Sequence, residues 1–222
     1  MHSLSCVGLH CERQNWLTGA ASVRNVTMEF QSALVHGIHG REGSGKGLLL
    51  HLLGLLDRPD SGIISVFGKD VSKWDSSALA IQRNSLFGYL FRHPYLLPSF
   101  SVAENIAMPL LKIRGVSAEE ASDRTRSMLE FAGLPDLGDF PVCQLDCITQ
   151  QHIALIRALI HQPKILIAVS PFPAILPLAR LAAHEMGITV ICTGEEDFLA
   201  TNCDRLFVMK KGILSESKSI PV

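Results

Sequence analysis

One short run constrains this chain more than any other feature: Gly40-Arg41-Glu42-Gly43-Ser44-Gly45-Lys46-Gly47. It follows an apolar stretch, 33–39, that reads as a strand. It precedes residues 48–56, almost wholly apolar, which read as a buried helix. Strand, glycine loop and helix in that order form a cradle for phosphate. The glycines let backbone N–H groups turn inward, the helix N-terminus adds partial positive charge, and Lys46 reaches the terminal phosphates. One position departs from the pattern. The residue after the lysine should carry a hydroxyl that binds Mg²⁺, and here it is Gly47, followed by Leu48.

Composition sets the frame for that unit. With 47% hydrophobic and 18% charged residues in 222, the chain has the makings of a substantial core and lacks the signature of disorder. A net charge of −1 without a Lys/Arg stripe gives no case for nucleic-acid binding. The six cysteines (Cys6, Cys11, Cys143, Cys147, Cys192, Cys203) form no C-x-x-C pair and have no histidine at zinc spacing, so they read as reduced thiols and no metal site is expected. No basic start leads into an apolar run, so no signal peptide is expected. The most apolar stretch, 165–183, contains Pro171, Pro173, Pro177 and Arg180, too many interruptions for a membrane helix. Any membrane link is therefore expected to run through a partner.

Elements alternate along the chain, which predicts a mostly parallel sheet. Short strands are expected at 4–11, 22–30 and 63–67, then at 165–169, 189–193 and 205–209. Phe87, Tyr89 and Phe91 alternate as the face of a strand. From about 101 to 145 the pattern is helical, clearest at 118–132, and a further helix is expected over 150–161 before Pro163. His36, His39 and His51 suit packing or surface positions better than metal binding.

Taken with its sequels, the run from Gly40 to Gly62 (GREGSGKGLLLHLLGLLDRPDSG) resembles the nucleotide-binding subunits of ABC transporters, most of all the lipoprotein- and macrolide-export type (the LolD and MacB group). Leu96-Leu97-Pro98, Val102 and Glu104-Asn105 match the segment after that group's glutamine loop. QHIALIRAL, from Gln151 to Leu159, resembles the helix after the family signature, and DRLFVMKKG, from Asp204 to Gly212, its last strand and turn. The resemblance spans roughly 4–215. It implies an α/β fold: a P-loop NTPase core, with a mostly parallel sheet flanked by helices, an inserted helical subdomain and an N-terminal antiparallel β portion. It implies one domain over 1–222, with a core at about 1–90 and 150–222 and the helical subdomain at about 91–149. It further implies ATP or ADP as ligand, an integral-membrane permease as partner, pairing with another such subunit as homodimer or heterodimer, and a place on the cytoplasmic face of the inner membrane.

The family's catalytic positions are mostly replaced. The metal-binding hydroxyl falls on Gly47, and the Q-loop glutamine on Arg92. The Asp-Glu that ends the Walker B strand falls on Val169-Ser170, and the switch histidine on Gly194. The signature falls on Leu145-Asp146-Cys147-Ile148-Thr149, which keeps only the leucine. The stretch from Ser170 to Gly194 is shorter than the family's, and the D-loop is expected to be lost with it. The position that stacks on adenine falls on Arg13, with Trp16 as a substitute. Phosphoryl transfer depends on positioning and on charge neutralisation by metal and dipoles, so these losses predict a chain that binds nucleotide without cleaving it and holds Mg²⁺ poorly. A nucleotide-sensing or scaffold adaptor outside transport is the alternative. An active ATPase using Glu195, Glu196 or Glu42 is a second one, and those three read more simply as solvated loop charge.

Overall fold

A computed structural model of the chain describes residues 2–15, 19–112 and 116–217. Two sheets enclose one helix. The first sheet is antiparallel, in the order β2 (Gly19–Gln31), β1 (His2–Asn15), β4 (Ser61–Val66) and β5 (Lys69–Asp70). The second runs β10 (Ile213–Glu216), β9 (Arg205–Lys210), β3 (Val35–His39), β8 (Thr189–Thr193), β7 (Ile165–Val169), β6 (Phe87–Phe91). Its neighbours pair parallel except at the β10 edge. β7 and β8 read as unbroken apolar runs because both their faces are covered; all of β8 is buried.

The helix between the sheets is α1 (Lys46–Leu53), and it leads straight out of the glycine loop. Leu49, Leu50, Leu52 and Leu53 are fully buried, against Leu4 and Leu9 of β1 on one side and Ile38, Ile167 and Ile191 of the large sheet on the other. Each such leucine stabilises the fold by about 1.5–3 kcal/mol relative to exposure. The aromatic face expected of β6 is present: Phe87, Tyr89 and Phe91 stack with centroids 6.1 and 6.4 Å apart, and the Tyr89 hydroxyl donates to Gly54 O at the end of α1 (2.6 Å).

On the far face, α5 (Cys147–Leu159), α6 (Leu176–Met186) and α7 (Glu196–Asn202) cover the parallel strands. Another cluster joins α3 (Val102–Ala107), α4 (Ala118–Phe131) and α5 through Val102, Ile106, Leu129, Ile153 and Ile156. α5 serves both layers, turning Ile153, Ile156 and Ile160 to this cluster and Ala154, Leu155 and Leu159 to the sheet. α3 opens on a capping box, with Ser101 accepting from Glu104 N and Glu104 accepting from Ser101 N.

The expected strands 4–11 and 22–30 extend into one long hairpin. α2 (Ser76–Leu86), capped by Asp75, was not foreseen: only Leu79 of it is buried, so it has almost no apolar stripe to read. The prolines of 165–183 punctuate rather than merely interrupt: Pro173 opens a 3-10 turn and Pro177 lies in the first turn of α6, where a missing N–H costs nothing. No described helix is long and apolar enough to cross a membrane.

Arg13, near the tip of β1, clamps the loop after α1. It is bidentate to Asp57 (2.9 and 3.1 Å), pairs with Asp60 (2.8 Å), and donates to Arg58 O (2.6 Å) and Glu12 O (3.0 Å). Its hydrogen bonds hold the Asp57 and Asp60 carboxyls below their usual range. A depressed folded-state pKa stabilises above the unfolded carboxylate value and is lost as pH falls through the folded one. Arg13→Ala should therefore lower the unfolding midpoint at neutral pH. In thermal melts the deficit should shrink towards zero as pH falls to about 3 and below; a deficit independent of pH would contradict the clamp.

Candidate nucleotide-binding site

The loop is built by close approach of backbone to backbone. A Cβ on Gly45 (φ 99°) would lie 2.1 Å from Ser22 O on β2, and one on Gly40 would lie 2.4 Å from Met209 O on β9. These two glycines thread the loop between the sheets, and Gly212 N donates to Ser44 O (2.9 Å) to tie it to the β9–β10 turn. α1 then begins with Leu49 N donating to Gly45 O (2.9 Å). Lys46 Nζ folds back on the loop, donating to Gly40 O (2.8 Å) and Arg41 O (3.1 Å). Burial lowers its pKa, and Glu42 opposes that shift. The Ser44 hydroxyl is buried and has no hydrogen-bond partner among the described residues.

The loop forms one wall of a cleft of about 1490 Å³ at the C-terminal ends of the parallel strands, the end where ligands bind in such sheets. Arg92, Ser170, Pro171, Gly194 and the start of α7 form the opposite wall. Five cationic side chains line it (Arg41, Lys46, Arg92, Lys210, Lys211) against three carboxylates, Glu42, Glu195 and Glu196. The cleft thus favours an anion.

Of the positions singled out from sequence, Gly40, Arg41, Glu42, Gly43, Ser44 and Lys46 line this cleft together with Arg92, Ser170 and Gly194. Leu48 is half-buried and packs against the core beneath. Gly47 has nothing within 4 Å of its would-be Cβ, so a side chain would fit where none is present. Register pairs Phe91 with Val169, which brings Arg92 beside Ser170, the two positions one step past the strands. The Arg92 guanidinium lies over the Phe172 ring, 5.5 Å from its centroid. Ser170 N donates to Thr193 Oγ1 (2.9 Å). At Gly194 a Cβ would meet only the Leu199 side chain, at 3.4 Å or beyond. From β7 the chain passes through a 3-10 turn at Pro173–Ile175 straight into α6.

A magnesium ion is a hard cation that takes oxygen ligands. Gly47, Arg92 and Val169, the positions where the family resemblance would look for its ligands, carry no side-chain oxygen.

The segment 145–149 turns out to start a helix. Asp146 caps α5, accepting from Ile148 N (2.9 Å), Thr149 N (3.0 Å) and the Thr149 hydroxyl (2.7 Å). The Thr149 hydroxyl, then its N–H, depresses the Asp146 pKa. The positive end of α5 is thereby occupied by a carboxylate of its own. Cys147 and Ile148 stand exposed behind it. Cys147 lines a second cavity of about 700 Å³ with Arg92, Tyr95, Val169, Ser170 and Phe172.

The sequence gives no sign of the contacts that His39, Glu196 and Gln151 make here. His39, at the end of β3, stands beside Gly194, since register pairs Ile38 with Thr193. Its Nδ1 lies 3.2 Å from the exposed carboxylate of Glu196. Gln151 is fully buried: its Nε2 donates to Phe91 O (3.1 Å) and Arg92 O (2.9 Å), and its Oε1 accepts from Phe172 N (2.5 Å). It ties α5 to both walls of the cavity. A lone glutamine facing inward on an apolar helix was its only signal. Arg13, expected where adenine would stack, has its donors taken up in the clamp, and Trp16 lies outside the described residues.

A glycine loop between an antiparallel and a parallel sheet, opening on a cationic cleft, defines a P-loop nucleotide-binding domain. Comparison narrows the class. The ABC transporter family model matches residues 23–172. The lipoprotein-releasing system ATP-binding protein LolD 2 of Caulobacter vibrioides is 36% identical over 200 residues, covering 86% of this chain and 87% of its own length. The LolD protein of Koribacter versatilis is 34% identical, over 86% and 89%. The methionine import ATP-binding protein MetN 1 of Listeria monocytogenes is 35% identical over 90% of this chain, which spans only 61% of it. Among solved structures, the dimeric bacterial ABC transporter cassette MJ0796 superposes with a TM-score of 0.87 at 25% identity, over 99% of both chains. The chain belongs to the ABC transporter family of ATP-binding proteins.

The loop geometry makes opposite demands on its glycines. Gly45→Ala should destabilise the protein strongly, because the new methyl meets backbone. Gly47→Ala, in open space within the first turn of α1, should raise stability by about 0.5–1 kcal/mol. Urea denaturation of both variants distinguishes them; equal effects would contradict the packing described.

Proposed function

We propose that this chain is the nucleotide-binding subunit of a membrane transporter of the lipoprotein-releasing kind, and that it holds ATP or ADP at the loop without hydrolysing it. The observation that carries the reading is the contrast across the cleft. The cradle keeps its glycines and Lys46, while Gly47 follows it and the strand ends opposite carry Arg92, Val169-Ser170 and Gly194. Cleaving the terminal phosphate needs a metal and a positioned, activated water. None of these five side chains offers a carboxylate, an amide or an imidazole to hold either. Each loss is worth roughly 2–4 kcal/mol of barrier, and they act as a unit rather than additively.

Pairing does not repair the site. Relatives that assemble as dimers, such as the MJ0796 cassette, support a paired arrangement, with itself or with another cassette. If the segment 145–149 faces a partner's nucleotide, Asp146 brings a carboxylate to the terminal phosphate, where like charges repel. Cys147 and Ile148 add bulk where a backbone would have to approach closely. A permease partner, reached at the cytoplasmic face of the membrane, is supported by the similarity to LolD and by the apolar surface near Leu97 and Phe100.

Phosphate release from the purified chain, alone and with a candidate permease, tests the reading. The wild type should stay at background. A variant carrying Gly47→Ser, Arg92→Gln, Val169→Asp, Ser170→Glu and Gly194→His together should gain turnover, and each single change should not. Wild-type turnover abolished by Lys46→Ala would overturn it.

A further inference from the structure

The lack of side-chain oxygens at Gly47, Arg92 and Val169 leaves a charge problem. A nucleoside triphosphate brings about four negative charges to the loop, and the usual way to bind it is with a divalent ion. Here one group is placed to do that ion's work. Arg92 lies at the C-terminal end of β6, beside Ser170, and lines the same cleft as Lys46. Its guanidinium makes no hydrogen bond or ion pair among the described residues; its one contact is the Phe172 ring beneath it. Phe172 is itself fixed by Gln151, which also holds the Arg92 carbonyl. A guanidinium is a planar fork of donors that matches the oxygens of a phosphate. No competing anion stands next to it at the end of β7, where Val169 and Ser170 are neutral.

We propose that Arg92 replaces the metal ion: nucleotide binds metal-free, with Lys46 and Arg92 closing on its terminal phosphates from opposite walls. This rests on the reading of the cleft as a nucleotide site and adds to it a binding residue and a metal requirement of the opposite sign from that of a magnesium-dependent enzyme. Magnesium complexed to ATP would cancel the charge that Arg92 recognises while gaining no side-chain ligand at Gly47, Arg92 or Val169.

Calorimetric titration of the full chain with ATP, once in EDTA and once in excess Mg²⁺, tests this, with thermal melts to verify folding. Wild type should bind ATP at least as tightly in EDTA as in Mg²⁺. Arg92→Gln should lose about tenfold or more in EDTA, the scale of one charge-assisted contact. Arg92→Lys should recover part of the loss, and AMP, which lacks the terminal phosphates, should bind wild type and Arg92→Gln alike. Wild-type binding that requires Mg²⁺, or undiminished ATP binding by a folded Arg92→Gln, would overturn the proposal and leave the nucleotide site standing. Absence of ATP binding by wild type in both conditions would overturn the nucleotide site and this proposal together.

Discussion

Everything at the cleft depends on the contact of a glycine loop with two strands of different sheets. Gly45 presses on Ser22 O of β2, and Gly40 on Met209 O of β9. No side chain fits at either place. Those contacts fix where α1 starts, and α1 in turn supplies the leucines that hold the sheets together. The cradle and the core are therefore one construction. A chain that lost the loop's glycines would lose packing along with phosphate binding, whereas the residues across the cleft have no such second duty. Gly194 has room around it, and Arg92 is exposed; Gly47, in the first turn of α1, has room as well. That asymmetry means that substitutions are tolerated by the packing at Arg92, Gly194 and Gly47 and not at Gly40 or Gly45.

The changes are also consistent among themselves. Neutral Val169 and Ser170 at the end of β7, Gly47 after Lys46 and Arg92 one step past β6 all agree with the proposal of an anion bound without a metal. The opposite holds at α5, where Asp146 already satisfies the helix end. A carboxylate there stabilises the helix and occupies the dipole that a phosphate could otherwise use.

Much of this was legible in the sequence. The loop read correctly because strand, glycines and helix are local, and β7 and β8 read correctly because strands buried on both faces are unbroken apolar runs. α5 starts three residues earlier than expected, since Asp146 and Thr149 form its cap and a cap looks like a loop until the helix behind it is known. α2 was invisible for want of a buried stripe. The His39–Glu196 pair and the Gln151 hub could not be read at all: they join residues distant in sequence, and only the parallel register places them together. Arg13 shows the opposite limit, since a position aligned with base stacking is engaged in a clamp to Asp57 and Asp60.

The central claim is that nucleotide rests in this cleft uncleaved. Its most direct test is the fate of the bound molecule: the chain is loaded with γ-labelled ATP, freed of excess, and quenched in acid over several hours. The account predicts that the label recovered from the protein remains in ATP throughout. Conversion of the bound label to free phosphate, faster than that of ATP in buffer, would contradict it.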